Sequence, residues 1–444
     1  MLICILFFVG MIFFLVTYFV DAPKWASSYM NTHIFYEGNL AKAGEITDIN
    51  DKRLAYSENS IREYNENETT RRALMHMIGD EKGNISTGLQ VVYRNQLVGW
   101  NFLSGNYSFG DKIGNTIKTT VDADVARAAY SALDGRRGTV GIMNYETGDL
   151  ICMVSSTSFD PSNPPDVEAN PEKYEGVYIN RLLSATYTPG SIFKLVTAEA
   201  ALNEISDIAS RTFNCQGSVI IEGSTVNCMG RHGNQNIEEA LVNSCNVAFS
   251  EMALEVGAAK MTEYAEKAGL NSELSLGRID VMPGSFDLKK SGDIDIAWAG
   301  VGQYKTLINP LSYLQFVASI ANDGKPVSPN IIDSIKTPGG IPARINIDLP
   351  KTKSMDAGTA STLKGFMRSC VVENYGEGGL SGYNMCAKTG TAEVGEGQTP
   401  HSWFCGFLDN KSAPYAFIVL VENGGEGHSA AMSVATRALS EIIE

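Results

Sequence analysis

Tyr187-Thr-Pro-Gly-Ser-Ile-Phe-Lys194 is the stretch from which the rest of the chain can be read. Pro189-Gly190 ends whatever precedes it. Ile192, Phe193, Leu195, Val196, Ala198 and Leu202 then recur at helical spacing, which predicts a helix over 191–206. Ser191 would stand in its first turn, where unpaired N–H groups and the positive end of the helix dipole favour developing negative charge. Lys194, three residues on, shares its face. A serine hydroxyl needs a base to become a nucleophile, and a desolvated, neutral lysine can be one. Taken alone, Ser-x-x-Lys is as readily an ordinary helix start with an exposed lysine.

Two more short motifs follow in order. Ser244-Cys-Asn246 follows the helical segment Ile237–Asn243 within a helical pattern over 237–269, and a hydroxyl and an amide two residues apart on a turn can relay a proton and hold a substrate amide. Lys388-Thr-Gly-Thr391 lies in an apolar segment that a Gly-rich loop joins to His401-Ser-Trp-Phe-Cys-Gly-Phe407, the pattern of a hairpin. A strand bearing a lysine, two hydroxyls and a glycine can take up a peptide by strand addition and clamp a carboxylate. Singly, the one is a loop and the other an edge strand with a solubilising lysine.

Together, in this order and local context, they resemble the set used by penicillin-binding proteins and serine β-lactamases. The chain is identified by resemblance as a class B penicillin-binding protein, a monofunctional peptidoglycan D,D-transpeptidase. Tyr145-Glu-Thr-Gly148, Met153-Val-Ser-Ser156, Gly302-Gln303, Asn309-Pro-Leu311 and Ala321-Asn-Asp-Gly324 extend the likeness, and Gly44-Glu-Ile-Thr-Asp48, Arg71-Arg72 and Gly88-Leu-Gln90 carry a weaker one towards the N-terminus. The resemblance implies that Ser191 attacks the penultimate D-Ala carbonyl, Lys194 is its base and Ser244 relays the proton to the leaving amine. Asn246 would hold the substrate amide and Lys388 tune the electrostatics, while Thr389 and Thr391, on either side of Gly390, would bind the terminal carboxylate. The N–H groups of Ser191 and Thr391 would form an oxyanion hole. It further implies stem peptides ending in D-Ala-D-Ala as substrate, acylation by β-lactams and a SEDS-type membrane glycosyltransferase as partner.

Outward from these motifs, Thr139–Ser155 reads as two strands around Glu146-Thr-Gly-Asp149. Helical patterns run over 310–322 and 429–443, and strands over 383–392 and 402–421. Strands at both ends with helices between them predict an α+β domain, an antiparallel sheet flanked by helices plus a helical subdomain, whose first and last strands are neighbours. We place it at 136–444. Residues 21–135 form an expected pedestal, mostly β with little core of its own. Residues 1–20 carry no charge and suffice for one membrane-spanning helix, which would set the domain on the extracytoplasmic face where its substrate lies.

The chain has 444 residues and a net charge of −15, which argues against nucleic-acid binding. Five histidines and eight cysteines lack the paired spacing of zinc ribbons, so neither a metal nor another cofactor is expected. Cys215 and Cys228 bracket a hairpin and could be a disulfide or two thiols. Cys245 as a thiol nucleophile would need a histidine, and none lies beside it in sequence. His401 and Trp403 read as strand packing, and Glu422–His428 as a solvated turn. Rival functions are a serine β-lactamase, for which Glu266 with Leu270-Asn271 is a poor deacylation loop, a β-lactam sensor and a silent cell-wall scaffold.

Overall fold

The computed structural model of the protein describes residues 2–26, 35–36, 39–40, 42–100, 114–343, 355–395, 397–425 and 429–443. These fall into two units. The first comprises Met1–Thr120, Phe159–Asp166 and Ile332–Asp348, and the second is the remainder. In the first unit, Leu2–Ala26 is helical, and its segment Leu2–Ala22 has a mean hydropathy of 2.8 over 21 residues, long and apolar enough to cross a bilayer. A five-stranded sheet runs in the order Ile332–Lys336, Thr116–Thr119, Ile46–Thr47, Arg53–Glu58, Ile61–Tyr64. The helix Glu68–Ile78 starts at Asn67, whose side chain accepts the Thr70 N–H at 3.0 Å.

The five-stranded sheet agrees with a mostly β segment, but the expectation that it has little core of its own is corrected here. Leu74, Met75 and Ile78 of that helix are buried, as are Ile46, Leu54 and Ile117. Arg71 forks onto both oxygens of Asp160 at 2.6 Å, holding Phe159–Asp166 in this unit. The two units do not divide the chain at a single point. Residues 332–336 supply an edge strand to the first unit, while Ala123–Leu133 belongs to the second.

The second unit is built on one antiparallel sheet. Its strands are β1 (Gly138–Asn144), β2 (Leu150–Ser156), β3 (Met385–Ala392), β4 (His401–Leu408) and β5 (Tyr415–Val421), ordered β3-β4-β5-β1-β2. As expected, the first strand meets the last, with Thr139 opposite Leu420. The single strand expected over 402–421 is two, because Asn410–Pro414 makes a turn between β4 and β5. Helices cover both faces. The added Cβ of Gly138 would meet Leu133 of the helix Ala123–Leu133, whereas that of Gly141, on the opposite face by strand alternation, would meet Leu314 of the helix Pro310–Ala321. Nearly every residue of β4 and β5 is therefore buried, which is why these strands read as continuous apolar runs rather than alternating ones.

Beside the sheet, the helix Lys194–Glu204 packs on Asn246–Lys267, and Ala357–Cys370 on β3. The expected helix over 237–269 is broken into Ile237–Val242 and Asn246–Lys267 by the second motif, where Ser244 has φ +52°. The hairpin between Cys215 and Cys228 is present as Ser218–Ile221 and Ser224–Asn227.

Candidate active site

Ser191 does not open an α-helix. Gly190–Phe193 is a 3₁₀ turn that runs into the helix Lys194–Glu204. Three backbones meet at this turn. The Gly190 N–H donates to Gly302 O at 3.0 Å, and a Cβ on Gly190 (φ +56°) would stand 2.2 Å from Thr391 O, so β3 lies directly against the turn. Tyr313 OH donates to Ile192 O at 2.7 Å from beneath.

Lys194 is fully buried. Its Nζ lies 3.0 Å from Ser191 Oγ, 2.6 Å from Ser244 O, 3.2 Å from Ser244 Oγ and 2.8 Å from Asn246 Oδ1. The Asn246 amide donates to Asn227 O at 2.8 Å, which turns its oxygen towards the lysine. Both carbonyl oxygens can only accept, so they take the two N–H bonds of a neutral amine and leave its lone pair for the hydroxyls. Burial first, and the neighbouring Lys388 second, push the Lys194 ammonium down to about 7.

Lys388, also fully buried, reaches Ser244 Oγ at 3.2 Å and Tyr375 OH at 3.3 Å. Thr389 Oγ1 donates to Tyr375 OH at 3.0 Å. Ser191, Ser244, Asn246, Thr389 and Thr391 line one cleft of about 380 Å³, with Asn227, Met229, Trp298 and Gln303 around them. Gly390 lines none of it. Its place is steric, since a Cβ there would press on Pro189 O at 2.9 Å. All eight residues expected from the sequence thus gather at one place.

Tyr375 escaped the sequence reading, because Glu373-Asn-Tyr-Gly376 looks like a surface turn and becomes a π-turn after Ala357–Cys370 only in the fold. His401 and Trp403 pack as expected. The Trp403 indole donates to Thr188 O at 3.0 Å, and the Tyr187 ring meets both edge-on. Glu422 is not a solvated residue. It accepts from Arg181 Nε at 2.7 Å and Tyr187 OH at 2.9 Å, with its side chain largely buried; residues 426–428 of that turn lie outside the described residues. Glu266 is exposed near the end of its helix and does not line the cleft. Cys245 is buried and does have a histidine nearby, His232, across a cluster of thiols.

Residues 138–444 match the family described as the penicillin binding protein transpeptidase domain. The chain belongs to the penicillin-binding protein transpeptidase family, in its class B branch. It is 30% identical over 360 residues to the peptidoglycan D,D-transpeptidase PbpA of Mycolicibacterium smegmatis, covering 72% of this chain and 70% of that one. It is 27% identical over 392 residues to stage V sporulation protein D of Bacillus subtilis, covering 79% and 57% respectively. The crystal structure of PBPA from Mycobacterium tuberculosis superposes with a TM-score of 0.80 at 24% identity, over 91% of this chain and all of that one, which shows a shared fold.

Proposed function

We propose that this protein is a peptidoglycan D,D-transpeptidase acting through an acyl-enzyme on Ser191. The observation that carries the reading is the convergence of Ser191 Oγ, Ser244 and Asn246 on the Nζ of one buried lysine. Lys194, unprotonated, takes the Ser191 hydroxyl proton as Oγ bonds to the carbonyl carbon of the penultimate D-Ala. The N–H groups of Ser191 and Thr391 steady the oxyanion, worth about 3 kcal/mol for each donor. The peptide C–N bond then breaks, and the proton passes through Ser244 Oγ to the departing terminal D-Ala. An amine of a second stem peptide attacks the ester, its proton returning along the same route, and Ser191 is released.

Thr389 and Thr391 hold the donor's carboxylate, Lys388 supplies positive potential, and β3, an edge strand, offers its free backbone to the peptide. A β-lactam follows the same first step, its ring C–N bond breaking as the ester forms, but the leaving nitrogen stays tethered to the acyl group, so the ester persists. The 21-residue apolar segment holds the chain in the membrane as a single-pass anchor, with the transpeptidase unit facing the wall and the first unit as its pedestal. A SEDS-type glycosyltransferase that makes the strands to be cross-linked is the partner this reading calls for.

The test is intact-mass spectrometry of the full chain in detergent with a fluorescent penicillin, beside Ser191→Ala. A slow-decaying adduct absent from the variant is expected, followed by D-Ala exchange onto an acceptor amine. Rapid loss of the adduct would make it a β-lactamase, and an adduct without amine exchange a sensor. No adduct on folded protein would leave a scaffold.

A further inference from the structure

The residues that seemed too scattered for a metal meet in the fold. The ligand atoms of Cys215, Cys228, His232 and Cys245 all lie within 4.8 Å of one another. Cys215 ends a strand paired with Gly233–Gln235, which brings it opposite Gly233 and next to His232. The hairpin Ser218–Asn227 returns the chain so that the Cys228 N–H bonds Gly217 O at 2.9 Å. Cys245 comes from the start of the helix Asn246–Lys267.

Cys228 Sγ is 3.8 Å from Cys245 Sγ and 3.6 Å from His232 Nδ1. A tetrahedral zinc with Zn–S near ~2.3 Å and Zn–N near ~2.05 Å has edges of about 3.8 Å between sulfurs and about 3.6 Å from sulfur to nitrogen. Backbone donors already face two of the sulfurs, from Asn246 N–H to Cys228 at 3.2 Å and from Ala248 N–H to Cys245 at 3.5 Å, an arrangement that suits thiolates. The three cysteines are free thiols. A disulfide would use two of them and leave the third thiol and the imidazole converging on nothing.

We propose that Cys215, Cys228, His232 and Cys245 bind one Zn²⁺ in a closed tetrahedral site. Binding releases three thiol protons and leaves a unit of net charge −1. The site clips together a region of two-stranded sheets whose own apolar cluster is small, centred on Ile221, Val226 and Ala297. It also has a place beside the cleft, because Asn227, Cys228 and Met229 line it together with Ser244 and Asn246. The ion would lock the second motif to the segment Asn227–Met229.

The test is metal analysis of the full chain, purified anaerobically in detergent. About one zinc per chain is expected, replaceable by Co²⁺ with the visible bands of a tetrahedral, sulfur-rich field. Cys228→Ser and His232→Ala should lose the metal, and Cys152→Ala, which alters a buried thiol of β2, should keep it. A reduced wild-type chain that takes up neither zinc nor cobalt would overturn the proposal, as would a disulfide among the three cysteines in the anaerobic protein. The wild-type result decides even if a variant fails to fold, and it stands apart from penicillin acylation, so failure of this site and failure of the transpeptidase reading are distinguishable.

Discussion

Lys194 and Lys388 approach the same atom, Ser244 Oγ, each from 3.2 Å. A second cationic side chain this close disfavours a proton on Lys194, already penalised by burial, and so helps to keep it available as a base. Its unprotonated form dominates above about 7. Below that, the amine carries its proton and cannot accept another. The rate of acylation by penicillin should therefore fall about tenfold per pH unit on the acid side. Lys388→Gln removes a like charge and lets the Lys194 value rise, so the acid limb should move to higher pH. A pH–rate profile of both proteins checks this, and a limb that stays in place would refute it.

Tyr375 carries no motif, yet its hydroxyl joins Lys388 to Thr389. Tyr375→Phe keeps the ring packed on Phe404 and deletes the hydroxyl that makes that link. Acylation should slow by about tenfold with a loss of stability near 1 kcal/mol. Kinetics and denaturant unfolding would separate the two effects, and an unchanged rate would remove Tyr375 from the site.

Gly190→Ala places a methyl group against Thr391 O in a backbone conformation that disfavours side chains. The strand and the nucleophile's turn must part. A loss of 2 kcal/mol or more and near-complete loss of acylation are expected, on the order of other strained backbone sites. Thermal unfolding and penicillin labelling measure both.

Glu422→Ala leaves the Arg181 guanidinium and the Tyr187 hydroxyl without their shared carboxylate. Removing one partner of a largely buried pair should cost about 2–4 kcal/mol. Glu422→Asp should restore part of it, and chemical denaturation distinguishes the two variants.

What the sequence disclosed and what it concealed divide along physical lines. The residues that gather at the candidate site were legible because each sits in a short local pattern, Ser-x-x-Lys on one turn, Ser-x-Asn on another and Lys-Thr-Gly on a strand. The sheet was legible at its ends, where apolar runs stand between turns. Tyr375 and the thiol cluster were not, since their partners are assembled by a π-turn and by hairpins rather than by spacing. The helices Ala123–Leu133 and Ala357–Cys370 were missed because alanine, glycine and threonine stand at many positions where leucine would have marked a face. The 3₁₀ start at Ser191 follows from close backbone contacts that no local propensity reports.

The pairing of β1 with β5 has a consequence for the life of the chain before it is finished. Thr139 waits for Leu420, so the central sheet cannot close until its last strand has been synthesised and delivered. Lys388 likewise reaches Ser244 across 144 residues. A truncated or stalled chain thus carries its nucleophile but not the surroundings that activate it. Covalent labelling by penicillin would then count completed molecules, which makes the antibiotic a reporter of folding as much as of chemistry.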